Sequence, residues 1–237
     1  MTTDIVFSDA TQLAALIRSR QVSPVEVMQA HLDRIAAVDP KVNAIVTVAE
    51  RALDDARAAE AAILAGGELG PLHGVPFTVK DSIDTAGVLT QRGSPIFKGR
   101  IPEADATSVA RLKAAGAILL AKTNLPEFSY WIESDNLLSG RSNNPWDLER
   151  TPGGSSGGES AAIAAGMSPL GLGTDPRHLG PGTGRADRHR LAEGDPRAGA
   201  DDGDLAACAA ALLACRPDGA LDPGPRTRLL SPVRARR

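Results

Sequence analysis

Apolar side chains recur every three or four positions near the start of the chain, which is the spacing of a helix with one buried face. Leu13, Leu16 and Ile17 carry this spacing. Ser8 or Asp9 can cap the first turn, because either side chain offers an oxygen to an unpaired backbone N–H group. The pattern therefore predicts a short amphipathic helix after residue 9.

Two longer helices are predicted before residue 66. Residues 23–26 form a capping box with proline at the first helical position, and the apolar face that follows predicts a helix as far as Asp39-Pro40. The segment from Ala44 to Ala65 is rich in alanine and charged residues and predicts a third helix, which the next two glycines should end. Residues 1–70 are thus expected to form an N-terminal helical segment.

Beyond residue 70, short apolar runs bounded by polar residues replace the helical spacing. Such runs are typical of strands buried on both faces, and helical segments separate them. The predicted elements are strand 72–79 ending at Lys80-Asp81, helix 105–115, strand 117–121, helix 159–165 and a strand-like segment 169–173. Alternating helices and strands with polar residues at the strand ends predict an α/β fold, whose core we place at residues 71–175.

The composition changes near residue 175. All seven aromatic residues precede residue 150, and the last 62 residues contain none. In residues 176–237, alanine, arginine, glycine, proline and aspartate fill 45 of the 62 positions. The net charge changes as well, from −6 over residues 1–175 to +3 over residues 176–237. Two different kinds of sequence are therefore joined at this point.

The overall composition of the 237 residues argues against several classes of protein. A net charge of −3 gives no electrostatic case for a nucleic-acid partner. No apolar run reaches the roughly 20 residues of a bilayer span, and residues 1–10 lack a basic signal-peptide segment. Cys208 and Cys215 are too few for a disulfide framework or a four-ligand zinc site. We therefore expect a cytoplasmic protein without a membrane partner.

A glycine- and serine-rich loop is the most distinctive chemical feature. Residues 153–158 read Gly-Gly-Ser-Ser-Gly-Gly and lead directly into the predicted helix 159–165. A helix N-terminus presents unpaired N–H groups and the positive end of the helix dipole, which favour negative charge. The loop therefore predicts an oxyanion or phosphate site, with a flexible Gly/Ser linker as the alternative.

Four stretches of the chain form a longer pattern. They read G-P-L-H-G-V-P-F-T-V-K-D at 70–81, A-K-T-N-L-P-E-F-S at 121–129, T-P-G-G-S-S-G-G-E-S-A-A at 151–162 and S-P-L-G-L-G-T-D at 168–175. In order and spacing they resemble the amidase signature family, which hydrolyses amide bonds with a Ser-Ser-Lys triad. The resemblance covers residues 1–175.

The resemblance implies the amidase signature fold, with a mixed central sheet flanked by helices, N-terminal helices, and a truncation after residue 175. It makes Lys80 the general base and Ser155, on a cis peptide in the family, the relay of protons to it. A lysine accepts a proton only when neutral, and burial favours that form by lowering an amine pKa from about 10.4. The resemblance also assigns substrate binding to Gly153, Gly154, Ser156 and Ser129, and the start of the oxyanion loop to Thr174 and Asp175. It implies neither a cofactor nor a metal.

The family pattern stops after Asp175. A glycine-rich loop and the nucleophilic serine are expected next, but Pro176-Arg177-His178 follows instead. The nucleophile is expected 24 residues after Ser155, and that position is Leu179. Because leucine has no nucleophilic group, we expect negligible turnover from this chain.

A one-base insertion explains both the missing serine and the change of composition. If the chain from Pro176 onward is encoded CCT CGC CAT CTC GGT CCG GG, dropping the first base gives Leu-Ala-Ile-Ser-Val-Arg, with serine across the Leu179 codon. The same shift over residues 188–203 can read as the family's next segment. We therefore interpret residues 176–237 as an out-of-frame translation of a GC-rich gene. Such a tail is expected to be poorly ordered, apart from an alanine-leucine helix at 204–215.

Three functions remain open at this point. The favoured one is hydrolysis of a small-molecule carboxylic amide to an acid and ammonia or an amine through a serine acyl-enzyme. The second is that of the glutamyl-tRNA amidotransferase A-subunit branch of the family, which passes the ammonia to a glutamyl ester on tRNA within a multi-subunit complex. The third is a non-catalytic protein that keeps the Gly/Ser loop as an anion or partner site. A homodimer also stays open.

Overall fold

The computed structural model describes residues 5–174 and the strand 210–214, and every structural statement below concerns these residues. Five helices and five strands make up the fold, together with three single turns of 3₁₀ helix. The helices are α1 (Ala10–Arg18), α2 (Pro24–Val42), α3 (Ala52–Leu64), α4 (Thr107–Ala114) and α5 (Gly157–Ala164). The strands are β1 (Ile45–Val48), β2 (Pro76–Lys80), β3 (Ile118–Thr123), β4 (Leu170–Thr174) and β5 (Ala210–Ala214).

The strands form one mixed sheet in the order β1-β3-β2-β4-β5. The three central strands are parallel, whereas β1 and β5 pair antiparallel with β3 and β4. Every residue of β2 and β3 is buried, as expected for parallel strands covered on both faces. The predicted α/β class with a mixed central sheet is confirmed.

The two predicted N-terminal capping signals are present in the structure. Asp9 caps α1 and pairs with Gln12, and Ser23 caps α2 and pairs with Glu26, each pair forming a capping box. The predicted end of the second helix is wrong by two residues, because α2 continues through Pro40 to Val42. Val42 is buried in the core, which favours the extra turn.

The helix predicted from Ala44 to Ala65 is wrong in its first part. Asn43 adopts a left-handed conformation that ends α2, and residues 45–48 then form β1 rather than a helix. All four residues, which read Ile-Val-Thr-Val, are branched at Cβ, and such side chains fit a pleated sheet better than a helix. Only α3, from Ala52, is helical, and it ends before Gly66 as predicted.

The helix predicted at 204–215 is also wrong where the structure describes it. Residues 210–214 form β5, whose backbone pairs with all five residues of β4. This pairing gives the N–H and C=O groups on that side of β4 hydrogen-bond partners, which a helix at this place would not do. Residues 204–209 and 215 lie outside the described part of the chain.

The core of the described chain lies between the sheet and its helices. Its largest fully buried apolar side chains include Leu13, Ile17, Met28, Phe77 and Leu120. Within the described residues, no helix has both the length and the apolar character needed to cross a bilayer.

Candidate active site

Lys80 is the last residue of β2, and its side chain is fully buried. The amine Nζ donates hydrogen bonds to Ser155 Oγ at 2.7 Å and to Thr174 Oγ1 at 2.8 Å. Lys80 and Thr174 lie at the carboxyl ends of two parallel neighbouring strands, and Ser155 lies in the loop before α5. The sheet therefore brings together three residues that are far apart in the sequence.

The Gly/Ser loop follows a tight path over this sheet edge. Gly153 has a φ of +91°, and the peptide bond between Gly154 and Ser155 is cis, as the resemblance implies. A side chain at Gly154 would come within 2.7 Å of the backbone of Ile132 and Glu133. Glycine at this position is therefore required by the close approach of two backbone segments.

Ser156 and Thr174 are joined by two hydrogen bonds. The Thr174 N–H donates to Ser156 Oγ, and the Ser156 hydroxyl donates to the Thr174 carbonyl, both at 3.2 Å. Thr174, predicted only as the start of the oxyanion loop, thus contacts both Lys80 and the Gly/Ser loop. Its hydroxyl carried no sequence signal for this contact, because Lys80 is 94 residues away.

Ser134 also belongs to the site, although no sequence pattern indicates it. This buried serine accepts a hydrogen bond from the Gly157 N–H at 2.9 Å, which satisfies one of the free donors at the start of α5. Its own N–H donates to the Gly153 carbonyl at 3.2 Å. Ser134 therefore holds both ends of the Gly/Ser loop, at Gly153 and at Gly157.

Glu159, on the first turn of α5, is a second residue of the site that the sequence motifs do not indicate. Its carboxylate is fully buried and accepts hydrogen bonds from the hydroxyls of Thr78 and Thr123. Burial raises the pKa of Glu159 to about 7, against the opposing effects of the two hydroxyls and of Lys122 and Lys80. The sequence does contain one signal for a buried acid here, because Glu159 is the only charged residue in a helix made otherwise of small and apolar residues.

Lys122, on β3, is a second buried lysine. Its amine donates to the Ile83 carbonyl at 2.5 Å and to the hydroxyls of Thr85 and Thr90 at 2.9 and 3.1 Å. Burial lowers the pKa of Lys122 to about 8, and burial likewise raises the pKa of the nearby Asp81 to about 6. Lys122 is thus held by the loop after β2, away from the hydroxyls that bind Lys80.

Ser129 is not brought to Lys80 by any described contact. It lies in a turn of 3₁₀ helix with φ of +60°, and its hydroxyl is buried without a hydrogen-bond partner among the described residues. Tyr130 and Trp131 are exposed and line an open depression of about 660 Å³ beside it. Asp175 and Leu179 lie outside the described residues.

The polar groups at the end of β2 define the chemistry available. A buried amine touches two hydroxyls, one of them in a glycine-rich loop that runs into a helix N-terminus. Within residues 5–174, no three His, Cys, Asp or Glu side chains are placed to hold a metal ion. The arrangement is suited to moving a proton between a lysine and a serine.

Comparison with known proteins agrees with this arrangement. Residues 26–176 match the family model described as Amidase. The A subunit of the glutamyl-tRNA(Gln) amidotransferase of Acidothermus cellulolyticus is 51% identical over 173 residues, which are 73% of this chain and 34% of that protein. The chain thus spans about a third of the length of this relative.

Solved structures give the same result for the fold. The 6-aminohexanoate cyclic dimer hydrolase superposes with a TM-score of 0.66 at 35% identity, over 72% of this chain and 34% of that one. A bacterial aryl acylamidase of the amidase signature family gives 0.67 at 32% identity, over 72% and 36%. The chain belongs to the Amidase family, and the resemblance seen in its motifs is confirmed.

Proposed function

We propose that the site at Lys80 serves the hydrolysis of a carboxylic amide to an acid and ammonia or an amine. The observation that carries this proposal is the 2.7 Å hydrogen bond between the enclosed Lys80 amine and Ser155 Oγ. Burial disfavours the charged form of an amine, so this lysine is in the right surroundings to act as a base. Lys80 is the general base and Ser155 is the relay.

The proton path follows from the hydrogen bonds. In the intact family site, a nucleophilic serine gives its proton to Ser155 Oγ as it attacks the amide carbon, while Ser155 gives its own proton to Lys80 Nζ. The leaving nitrogen then takes a proton back along the same path, and water hydrolyses the acyl-enzyme. Thr174 Oγ1 and the Ser156–Thr174 hydrogen bonds hold the amine and the loop in place during both transfers.

Negative charge develops on the amide oxygen during the attack. Backbone N–H groups of the loop that begins at Thr174 and Asp175 are proposed as the oxyanion hole, where one donor contributes roughly 3–4 kcal/mol in enzymes that use one. Gly153, Gly154 and Ser156 shape the floor of the same site, and Ser129 is proposed to contact the substrate from the neighbouring turn. The proposed steps use side chains and backbone groups of the protein together with water.

The 237-residue chain itself is proposed to be impaired, because Leu179 occupies the position of the nucleophile. The family match ends at residue 176, where the composition of the chain changes, and this agreement supports the proposed shift of reading frame. Sequencing the coding DNA through the Asp175 codon tests it. A confirmed, undisturbed frame through Pro176 and Arg177 would end the frameshift interpretation.

Membership of the amidotransferase branch is a second candidate for the function. The observation in its favour is the 51% identity to the A subunit of such an enzyme, which is higher than the 35% to the cyclic dimer hydrolase. In that case the amide is glutamine, and its ammonia passes to a glutamyl ester on tRNA inside a complex. A glutaminase assay with and without the partner subunits separates this function from that of a free-standing amidase.

The catalytic proposal is tested by measuring ammonia release from glutamine and from a panel of small amides. We expect no turnover from the 237-residue chain, and turnover from the gene read in the restored frame. Lys80→Met in the restored protein should lower kcat/KM at least about 100-fold, because a positioned base contributes that much. The control is Lys98→Met, which removes an exposed lysine and should leave the rate unchanged.

Two results would contradict the catalytic proposal. Activity in the restored protein that survives Lys80→Met would remove Lys80 from the mechanism. Lys80-dependent amidase activity in the 237-residue chain would show that Leu179 does not replace the nucleophile.

A further inference from the structure

The described chain encloses a carboxyl group directly beside the lysine–serine pair. Glu159 is fully buried, and its two oxygens accept hydrogen bonds from Thr78 and Thr123, the second at 2.8 Å. An ionised carboxylate away from water is costly unless it is hydrogen-bonded and balanced by positive charge. A carboxyl retained here therefore needs an explanation beyond packing.

The three central strands together form the site that holds this carboxyl. Thr78 lies two residues before Lys80 on β2, so both side chains face the same side of the sheet. Thr123, on β3, is the register partner of Lys80. Gly171, on β4, pairs with Thr78, and a side chain there would come within 2.5 Å of Glu159 Cδ. One carboxyl thus touches all three parallel strands next to the lysine.

The helix that carries Glu159 also carries the loop with Ser155. Only three residues lie between Ser155 and Glu159, which is on the first turn of α5. The hydrogen bonds of Glu159 to β2 and β3 therefore fix the start of α5 against the strand that ends at Lys80. Without them, the position of Ser155 relative to Lys80 would depend on Ser134 and on the Ser156–Thr174 contacts.

Glu159 also interacts electrostatically with the lysines around it. The amines of Lys80 and Lys122, when protonated, favour the ionised form of Glu159. Asp81 and Asp84 raise the pKa of Lys122, as Glu159 does, whereas Arg100 lowers it, so Lys122 has acidic neighbours besides Glu159. On β4, the neighbours Gly171 and Thr174 carry no charge.

We propose that Glu159 is a positioning residue for the Lys80–Ser155 pair, holding the loop on the sheet through Thr78 and Thr123 and balancing the positive charge that the Lys80 amine gains when it accepts a proton. This inference rests on the proposed role of Lys80. It assigns a function to a buried acid that touches neither substrate nor reacting atoms.

The test follows the Lys80 side chain itself by NMR in protein labelled with ¹³C-lysine. The chain has five lysines, so the five Cε resonances can be resolved, and Lys80→Met identifies the one from Lys80. The Cε shift reports whether the amine is charged, and a pH series gives its titration midpoint. This readout needs no catalytic activity.

The variant Glu159→Gln keeps the shape of the side chain and removes its charge. We expect the titration midpoint of Lys80 to fall, because an opposite charge close by favours the charged amine. Thr85→Val is the matched control, since it removes a buried hydroxyl that binds Lys122 and not Lys80. It should shift the Lys122 resonance and leave that of Lys80 in place.

A wild-type measurement keeps the inference testable if Glu159→Gln does not fold. The ¹³Cδ resonance of Glu159 and the Cε resonance of Lys80 should change with a common midpoint, because each group responds to the charge of the other. An unchanged Lys80 midpoint in Glu159→Gln, or no common midpoint in the wild type, overturns the inference alone. A wild-type Lys80 that titrates like a free amine, near about pH 10.4, overturns the proposed function instead.

Discussion

Replacing Gly171 by alanine tests whether the sheet is shaped around the Glu159 carboxyl. Gly171 is buried in β4, and a Cβ atom built there would lie 2.5 Å from Glu159 Cδ and 2.9 Å from Glu159 Cγ. Ordinary contacts between carbon atoms are about 3.5–4.0 Å. The carboxyl group must therefore move by roughly 1 Å, which is enough to break one of its hydrogen bonds to Thr78 and Thr123 and to weaken the other.

The expected loss of stability has two parts. Overpacking a tightly packed interior costs about 1–3 kcal/mol. Each hydrogen bond to a charged buried group contributes about 1.5–3 kcal/mol, and the Glu159 carboxyl accepts one from each of two threonines. Because the carboxyl can keep part of one bond after moving, we expect Gly171→Ala to lower the free energy of unfolding by about 3–5 kcal/mol. That is a large fraction of the roughly 5–15 kcal/mol typical of a domain.

Urea unfolding followed by far-ultraviolet circular dichroism measures this loss. The matched control is Gly67→Ala, at an exposed position whose nearest atom, the Ala62 carbonyl oxygen, would lie 3.6 Å from the new Cβ. That substitution should change the free energy of unfolding by less than about 1 kcal/mol. In a Glu159→Ala background the new methyl group has room, so Gly171→Ala should cost at least about 2 kcal/mol less there. An equal cost in both backgrounds would refute the reasoning.

Two further predictions concern the helical part of the chain. Burial lowers the pKa of His31 from 6.5 to about 4, so between these pH values the unfolded chain takes up a proton that the folded chain does not. The free energy of unfolding should therefore fall by up to about 3 kcal/mol as the pH is lowered from 6.5 towards 4. Urea unfolding at several pH values measures this fall, which should be smaller for His31→Gln. Ser23→Ala removes the hydroxyl that accepts the Glu26 N–H at 3.0 Å and should lower the free energy of unfolding by about 1 kcal/mol at neutral pH in the same assay.

The sequence alone determined those helices and strands whose signals are contained within a few neighbouring residues. The capping boxes at Asp9 and Ser23 are of this kind, and so are the buried runs that became β2 and β3. Each is specified by contacts between near neighbours or by a simple apolar pattern, which the sequence displays directly. The motifs likewise placed Lys80 and Ser155 in one family pattern before any distance was known.

Tertiary structure decided what depends on distant segments. Residues 45–48 follow a helix and precede another, and they become a strand because β3, about 70 residues later, offers an edge to pair with. The partnership of Lys80 with Thr174 spans 94 residues, and that of Thr78 with Glu159 spans 81. The residues that flank a hydroxyl or a carboxyl in the sequence do not indicate such a distant partner, because the contact forms only when parallel strands bring their ends together.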